Sequence, residues 1–302
     1  MTKTLIIVTG PTAIGKTRVA IETARFFTTE IVSADSRQIY RELSIGTAVP
    51  SPAELAEIKH HFIHSHSILE NYNASRYETE ATGLLENLFN IYDTVVMTGG
   101  SMLYIDAVCK GIDTMPDVDP DLRETLKTRL KKEGIESLRL QLKKLDPEYY
   151  FRVDLKNPAR IVHALEICLM TGRPYSSFRT SPKKERPFAI IKIGLDCDRT
   201  ELHRRINLRV DQMLEAGLED EARNVYPLKN LNALNTVGYR EFFAYFSGEI
   251  SKDKAAERIK RNTRRYARKQ LTWFRKDPEI YWFHPPDTEK IIGFLKTKLN
   301  IS

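Results

Sequence analysis

The residues with the clearest chemistry lie near the start of the chain, where Gly10-Pro11-Thr12-Ala13-Ile14-Gly15-Lys16-Thr17 follows the pattern G-x-x-x-x-G-K-[ST]. Glycines at that spacing let the backbone curl until successive N–H groups point inward at phosphate oxygens. A helix beginning at the loop adds a partial positive charge. Lys16 supplies a full one, and the Thr17 hydroxyl is placed to ligate Mg²⁺. The pattern lies between an apolar strand and an amphipathic helix, the context that separates a phosphate cradle from a chance glycine-rich turn. It does not say whose phosphates are held. Most such loops take ATP or GTP, so a small-molecule kinase stands open at this point.

A second chemistry lies in the C-terminal third. Between Lys254 and Lys276 stand ten basic residues (Lys254, Arg258, Lys260, Arg261, Arg264, Arg265, Arg268, Lys269, Arg275, Lys276) against one acid, Glu257. A solvated helix face usually mixes its signs. This run does not, and Tyr266, Trp273 and Phe274 are interleaved with it, as a surface touching RNA requires. Four histidines, His60, His61, His64 and His66, suggest a metal site, but no further ligand lies at useful spacing. His60 and His61 are read as shaping the site, His64 and His66 as incidental. Cys109, Cys168 and Cys197 are too widely spaced for a zinc knuckle and are expected as buried free thiols.

Composition bounds the rest. The chain has 302 residues, 41% apolar and 29% charged, with a net charge of +7 from 47 Lys and Arg against 40 Asp and Glu. That suits a globular protein with a real core. No apolar run approaches the ~20 residues that span a bilayer, and the short apolar start ends in the glycine-rich turn. The expected compartment is the cytoplasm, without membrane attachment.

The elements that must position these residues follow from periodicity. Thr4–Thr9 reads as a fully apolar strand, then a helix from about Lys16 to Phe27 with Val19, Ala20, Thr23, Ala24 and Phe27 on one face. Glu30–Ala34, Asp93–Thr98 and Phe188–Leu195 read as further strands. Buried β-branched strands separated by helices predict an α/β fold, a parallel sheet flanked by helices. Between Thr114 and Pro187 no strand pattern is seen. Leu122, Leu126 and Leu130 recur at helical spacing, as do Leu138, Leu142 and Leu145. Asn157-Pro158 starts another helix, with Ile161, Leu165, Cys168 and Leu169 on one face and a stop at Gly172. The domain reading is therefore a core of 1–113 and 188–302 with an all-helical insertion over 114–187. Helices at Glu201–Ala216, Leu218–Tyr226 and Lys254–Trp273 complete it.

Seven segments in order make the chain resemble the tRNA dimethylallyltransferase (tRNA isopentenyltransferase) family. They are Gly10–Thr17, Asp35-Ser36-Arg37-Gln38-Ile39-Tyr40, Ile45-Gly46-Thr47-Ala48, His60-His61, Gly99-Gly100-Ser101-Met102-Leu103-Tyr104, Val237-Gly238-Tyr239-Arg240-Glu241 and Arg268-Lys269-Gln270-Leu271-Thr272-Trp273-Phe274-Arg275. The helical insertion also has the place and size found in that family. Ser101 stands where the family usually has threonine, Ile14 where a small polar residue is common, and Val49 where a lysine is common.

The resemblance implies a P-loop NTPase-like core and a specific reaction. A dimethylallyl group passes from its diphosphate to the exocyclic N6 of the adenosine 3′-adjacent to the anticodon, at tRNA position 37. Gly10–Thr17 would then clamp the diphosphate, with Mg²⁺ on Thr17 and Lys16 neutralising the leaving group. Asp35, just past a strand end, would be the general base, and Ser101 would keep a hydroxyl near the reacting centre. By the same resemblance Asp35, Ser36, Arg37, Gln38, Ser101, Arg123, Ala159, Arg160, Ile161, Val162 and His163 contact the tRNA. The insertion and the basic helix would hold the anticodon stem and loop of a flipped-out adenosine. A monomer is expected. The rivals are a P-loop kinase, which explains the loop and Asp35 only, and a cytokinin-type adenylate prenyltransferase, which has little use for the insertion or the basic helix. A non-catalytic RNA-binding protein would not need Lys16 or Asp35.

Overall fold

The computed structural model describes residues 2–113, 115–180, 184–285 and 287–301. Thr114, at one end of the expected insertion, and Pro182 and Lys183, before its other end, lie outside them. The first part of the chain alternates strand and helix: β1 Thr4–Thr9, α1 Lys16–Phe26, β2 Ile31–Ser33, α2 Pro52–Glu57, β3 His60–His61, α3 Ala74–Phe89, β4 Thr94–Gly99 and α4 Met102–Lys110. Four helices follow, α5 Pro120–Glu133, α6 Ile135–Leu145, α7 Pro147–Arg152 and α8 Pro158–Thr171. The chain then returns to the sheet through β5 Ala189–Leu195, α9 Arg199–Glu215, α10 Leu218–Val225, α11 Tyr239–Phe246, α12 Lys252–Phe274, β6 Ile280–Phe283 and α13 Thr288–Leu299.

The six strands lie in the order β3-β2-β4-β1-β5-β6, and every pairing is parallel. β1 is buried throughout, with the apolar run Leu5–Val8 between two threonines, because both of its faces are covered. Leu5 and Ile7 join a core with Tyr77, Leu85 and Tyr104, while Ile6 and Val8 join another with Val19, Ala24, Ile206 and Ile291. That burial on both faces is what a parallel sheet demands. Two strands escaped sequence reading: His60–His61 is too short to carry a pattern, and Ile280–Phe283 is a short edge run.

The chain divides into two compact units, residues 1–109 with 186–302, and residues 110–185. The second has its own core of Leu126, Leu138, Leu142, Tyr149, Ile161, Leu165 and Cys168. Asn157 caps α8 by accepting the Arg160 N–H, Pro158 opens the helix, and Gly172 closes it in the left-handed conformation. Leu169 and Leu145, expected on buried faces, are instead exposed. Of the three free cysteines only Cys168 is buried; Cys109 and Cys197 are half-buried, a correction to the expected three buried thiols.

Candidate active site

Three turns at the carboxyl ends of neighbouring strands build the site. The order β2-β4-β1 sets the turn after β2 and the loop after β1 on either side of the turn after β4. This crevice is where open parallel sheets bind ligands. Gly99 permits the closeness: a Cβ there would lie 2.1 Å from the Ala34 carbonyl oxygen. Ser101 then ties the turns together. Its Oγ accepts the Ser36 N–H at 2.7 Å and donates to the Ser36 hydroxyl at 3.0 Å.

The loop after β1 curls through Ala13 at φ 64° and Gly15 at φ 104°, left-handed conformations that turn its amides inward. Gly15 is the residue from which α1 starts. Thr12, Ala13, Gly15, Lys16 and Thr17 line a cavity of about 760 Å³, and so do Asp35, Ser36, Arg37 and Gln38. Ile14 points the other way, fully buried in the core. Its place in the loop is therefore a matter of packing and backbone.

Lys16, Arg209 and Asp35 lie at the centre of the cavity's electrostatics. Lys16 Nζ donates to the Pro11 carbonyl at 2.8 Å. Enclosure by the cavity walls and the neighbouring Arg209 guanidinium hold its ammonium down to about 7, against a weaker opposite pull from Asp35. Burial likewise lowers Arg209, with Asp35 and Glu54 pulling the other way. Asp35 Oδ1 accepts the Arg37 N–H at 2.9 Å and the Gln38 N–H at 3.4 Å, an Asx turn that fixes its carboxylate. With Arg18, Arg37, Arg205 and Arg240 also among its lining residues and only Asp35 and Glu54 against them, the cavity beside this phosphate-type loop is a site short of an anion.

Several residues of this site were not assigned to it from the sequence, although Tyr266 was read there as part of the RNA surface and Gln270 as part of a family segment. Arg205 and Arg209 stand one helical turn apart on α9; Arg205 reaches the Ile14 carbonyl, and Arg209 lines the cavity near Thr12. Gln270, buried on α12, accepts the Thr12 N–H at 2.9 Å and donates to the Gly100 carbonyl at 2.9 Å. Tyr266 also lines the cavity; burial of its hydroxyl, with Asp35 and against Arg37, pushes it up to about 12. The i, i+4 spacing of Arg205 and Arg209 was visible, but nothing in the sequence said which side of α9 faces the loop.

The donors of the loop region suit a hard cation: the Thr17 hydroxyl and the Asp35 carboxylate open on the same cavity. Among the described residues no group of three His, Cys, Asp or Glu is gathered as a metal cage. The donor set therefore fits an ion held mainly by substrate phosphate oxygens and water, the usual habit of Mg²⁺.

The histidines have other work. His60 bonds the Ile58 carbonyl at 2.7 Å and His61 bonds Glu30 at 2.5 Å, both on the edge strand β3 and neither lining the cavity. The expectation that they shape the site is corrected. His66 is not incidental but buried, paired with Glu80 and packed on the Tyr72 ring. His64 meets the Ser44 hydroxyl at 3.1 Å.

In the helical unit, Glu166 is buried and takes Arg123 in a two-point bridge at 2.7 and 2.9 Å, with His163 at 3.3 Å. Ile161 and Val162 are buried in the unit's core, so their side chains cannot reach RNA. Of the segment expected to touch tRNA, only Ala159, Arg160 and His163 meet solvent.

The sequence profile of the IPP transferase family matches residues 38–277. The chain is 54% identical over 297 residues to tRNA dimethylallyltransferase 1 of Bacteroides fragilis, covering 98% of this chain and 99% of that one. It is 54% identical over 295 residues to tRNA dimethylallyltransferase 2 of Parabacteroides distasonis, again over 98% and 99%. The solved full-length tRNA isopentenylpyrophosphate transferase of Bacillus halodurans aligns with a TM-score of 0.72 and 32% identity over 99% and 97% of the chains. A eukaryotic dimethylallyltransferase acting on tRNA shares the fold with a TM-score of 0.81 at 22% identity, over 99% of this chain and 80% of that one.

Proposed function

Because this chain belongs to the IPP transferase family, we propose that it transfers a dimethylallyl group from dimethylallyl diphosphate to N6 of the adenosine 3′-adjacent to the anticodon, at tRNA position 37. The observation that carries this reading is the single cavity in which Lys16, Thr17 and Arg209 face Asp35. The loop amides from Ala13 to Thr17 bind the diphosphate, and Lys16 and Arg209 take up the negative charge that grows as its C–O bond breaks. Thr17 would hold Mg²⁺, which when bound neutralises the leaving diphosphate further. The adenine amino group is a weak nucleophile because its lone pair is delocalised into the ring. As the C–N bond forms, its proton passes to the Asp35 carboxylate. Asp35 is held for this by its own turn, and Ser101 holds that turn through Ser36. Ser101 thus serves as a positioning residue.

On the RNA side, Arg261, Arg265 and Arg268 are exposed along α12, and in the helical unit Arg160 is exposed while Arg123 and His163 are held on Glu166. We assign these to phosphate and loop contacts. No helix among the described residues is long and apolar enough to cross a membrane, and the reading takes the chain as a cytoplasmic monomer. The test is direct: protein, Mg²⁺, labelled dimethylallyl diphosphate and unmodified tRNA should give labelled tRNA and free diphosphate. No label in the tRNA, together with phosphate transfer from ATP to a small molecule, would replace this reading with a kinase.

A further inference from the structure

One carboxylate outside the catalytic cluster gathers four donors. Glu221, on α10, accepts the backbone N–H groups of Ser44 and Ile45 on one oxygen and that of Gly46 on the other, each at 2.8 Å. The Tyr239 hydroxyl donates to it at 2.5 Å. Three consecutive amides converging on one anion form a nest of the kind that usually cradles a ligand's phosphate. Here the fold supplies the anion itself.

Both ends of this knot run into the cavity wall. Beyond Gly46 the chain lines the cavity through Thr47, Ala48 and Val49; before Tyr239 it lines it through Thr236 and Val237. Gly46 is pressed so closely on the Tyr239 ring that a Cβ would lie 2.7 Å from it. From the wall a second link returns to the catalytic turn, for Gln38 Nε2 donates to the carbonyls of Thr47 and Ala48 at 3.2 and 2.8 Å. The Gln38 N–H is in turn one of the two that hold Asp35. Hydrogen bonds joined by the backbone of the 44–48 loop and by Gln38 itself therefore link Glu221 to the Asp35 carboxylate. The phosphate loop is held by a different set, Gln270 and the start of α1.

We propose that Glu221 and Tyr239 are positioning residues for the acceptor side of the reaction: they fix the wall that orients the incoming adenine against Asp35, and leave diphosphate binding to the other wall. The inference rests on the function proposed above. Glu221→Gln keeps the side chain's size but replaces one acceptor oxygen with an NH₂ that opposes the loop amides. At saturating dimethylallyl diphosphate and tRNA, its single-turnover transfer rate should fall roughly 10- to 100-fold, the scale of losing charge-assisted hydrogen bonds. Its affinity for inorganic pyrophosphate, read by calorimetry, should stay within about threefold of wild type. Tyr239→Phe keeps the ring against Gly46 and deletes only the hydroxyl, so it tests the same idea in a milder variant, with a loss of roughly 3- to 10-fold in rate. Transfer at the wild-type rate in both variants overturns the inference. So does a loss of pyrophosphate affinity as large as the loss of rate, because the damage is then general. Wild-type protein that binds pyrophosphate yet transfers nothing to tRNA would instead sink the reading of the site itself.

Discussion

Asp35 and Lys16 line one cavity, where the carboxylate pulls against the burial that lowers the lysine. Asp35 lines the same cavity as Lys16 and Arg209, and its replacement leaves the exposed basic surface of α12 untouched. Asp35→Ala should therefore lower transfer by about 10²- to 10⁴-fold while tRNA affinity, measured by filter binding, stays near wild type. Transfer at normal rate would remove Asp35 from the proton's path. Lys16 makes a prediction with a sign. Its ammonium is held to about 7 in the free protein, and a diphosphate beside it restores the charged form. Below that pH the group is already protonated and its contribution to affinity is flat. Above it, binding must draw a proton from solvent, so affinity weakens as pH rises. Calorimetry in two buffers at about pH 8 should show proton uptake exceeding that of Lys16→Arg by nearly one per pyrophosphate, and little difference at about pH 6. Equal uptake in the two proteins would mean that Lys16 does not meet the anion.

At the scale of elements, α12 joins two tasks. Its exposed face carries the arginines assigned to RNA, and its buried face sends Gln270 to both the phosphate loop and the Gly99–Ser101 turn. Gln270→Leu fits the same space but removes the partner of the buried Gly100 carbonyl and of the half-buried Thr12 amide. The expected cost is about 1–3 kcal/mol per orphaned group, seen as a lowered denaturation midpoint with weaker pyrophosphate binding. A variant as stable as wild type, with unchanged affinity, would show that the contact is dispensable. In α8, burial separates segment from surface: Ile161 and Val162 serve the core, while Ala159, Arg160 and His163 meet solvent on another face. A run of neighbouring residues cannot all reach a ligand from a helix, because its side chains fan out at about 100° per residue.

At the scale of the whole molecule, the chain contains two compact units, each with a core of its own. Damage to one core should therefore stay local. Leu142 is fully buried in the helical unit, and Leu142→Ala should destabilise that unit by about 2–5 kcal/mol. Hydrogen exchange would register the change within residues 110–185, while pyrophosphate affinity of the catalytic unit is retained. Uniform loss of protection across both units would show that they unfold as one.

The phosphate loop was legible in the sequence because its chemistry is local. Glycine at two positions, a lysine and a hydroxyl determine the backbone path and the charge within eight consecutive residues. The parallel sheet was legible because burial on both faces leaves strands without a polar stripe. The ends of α8 were equally plain in Asn157, Pro158 and Gly172, since caps act on their own helix. What only the tertiary structure decided is which distant groups meet at the loop. Strand order brought Asp35 and Gly99 beside it; helix rotation aimed Arg209, Tyr266 and Gln270 into the same space; and Glu221 came to hold a loop far from it in sequence. Such contacts depend on how elements pack, and packing is set by the summed burial of many side chains rather than by any spacing a single segment records.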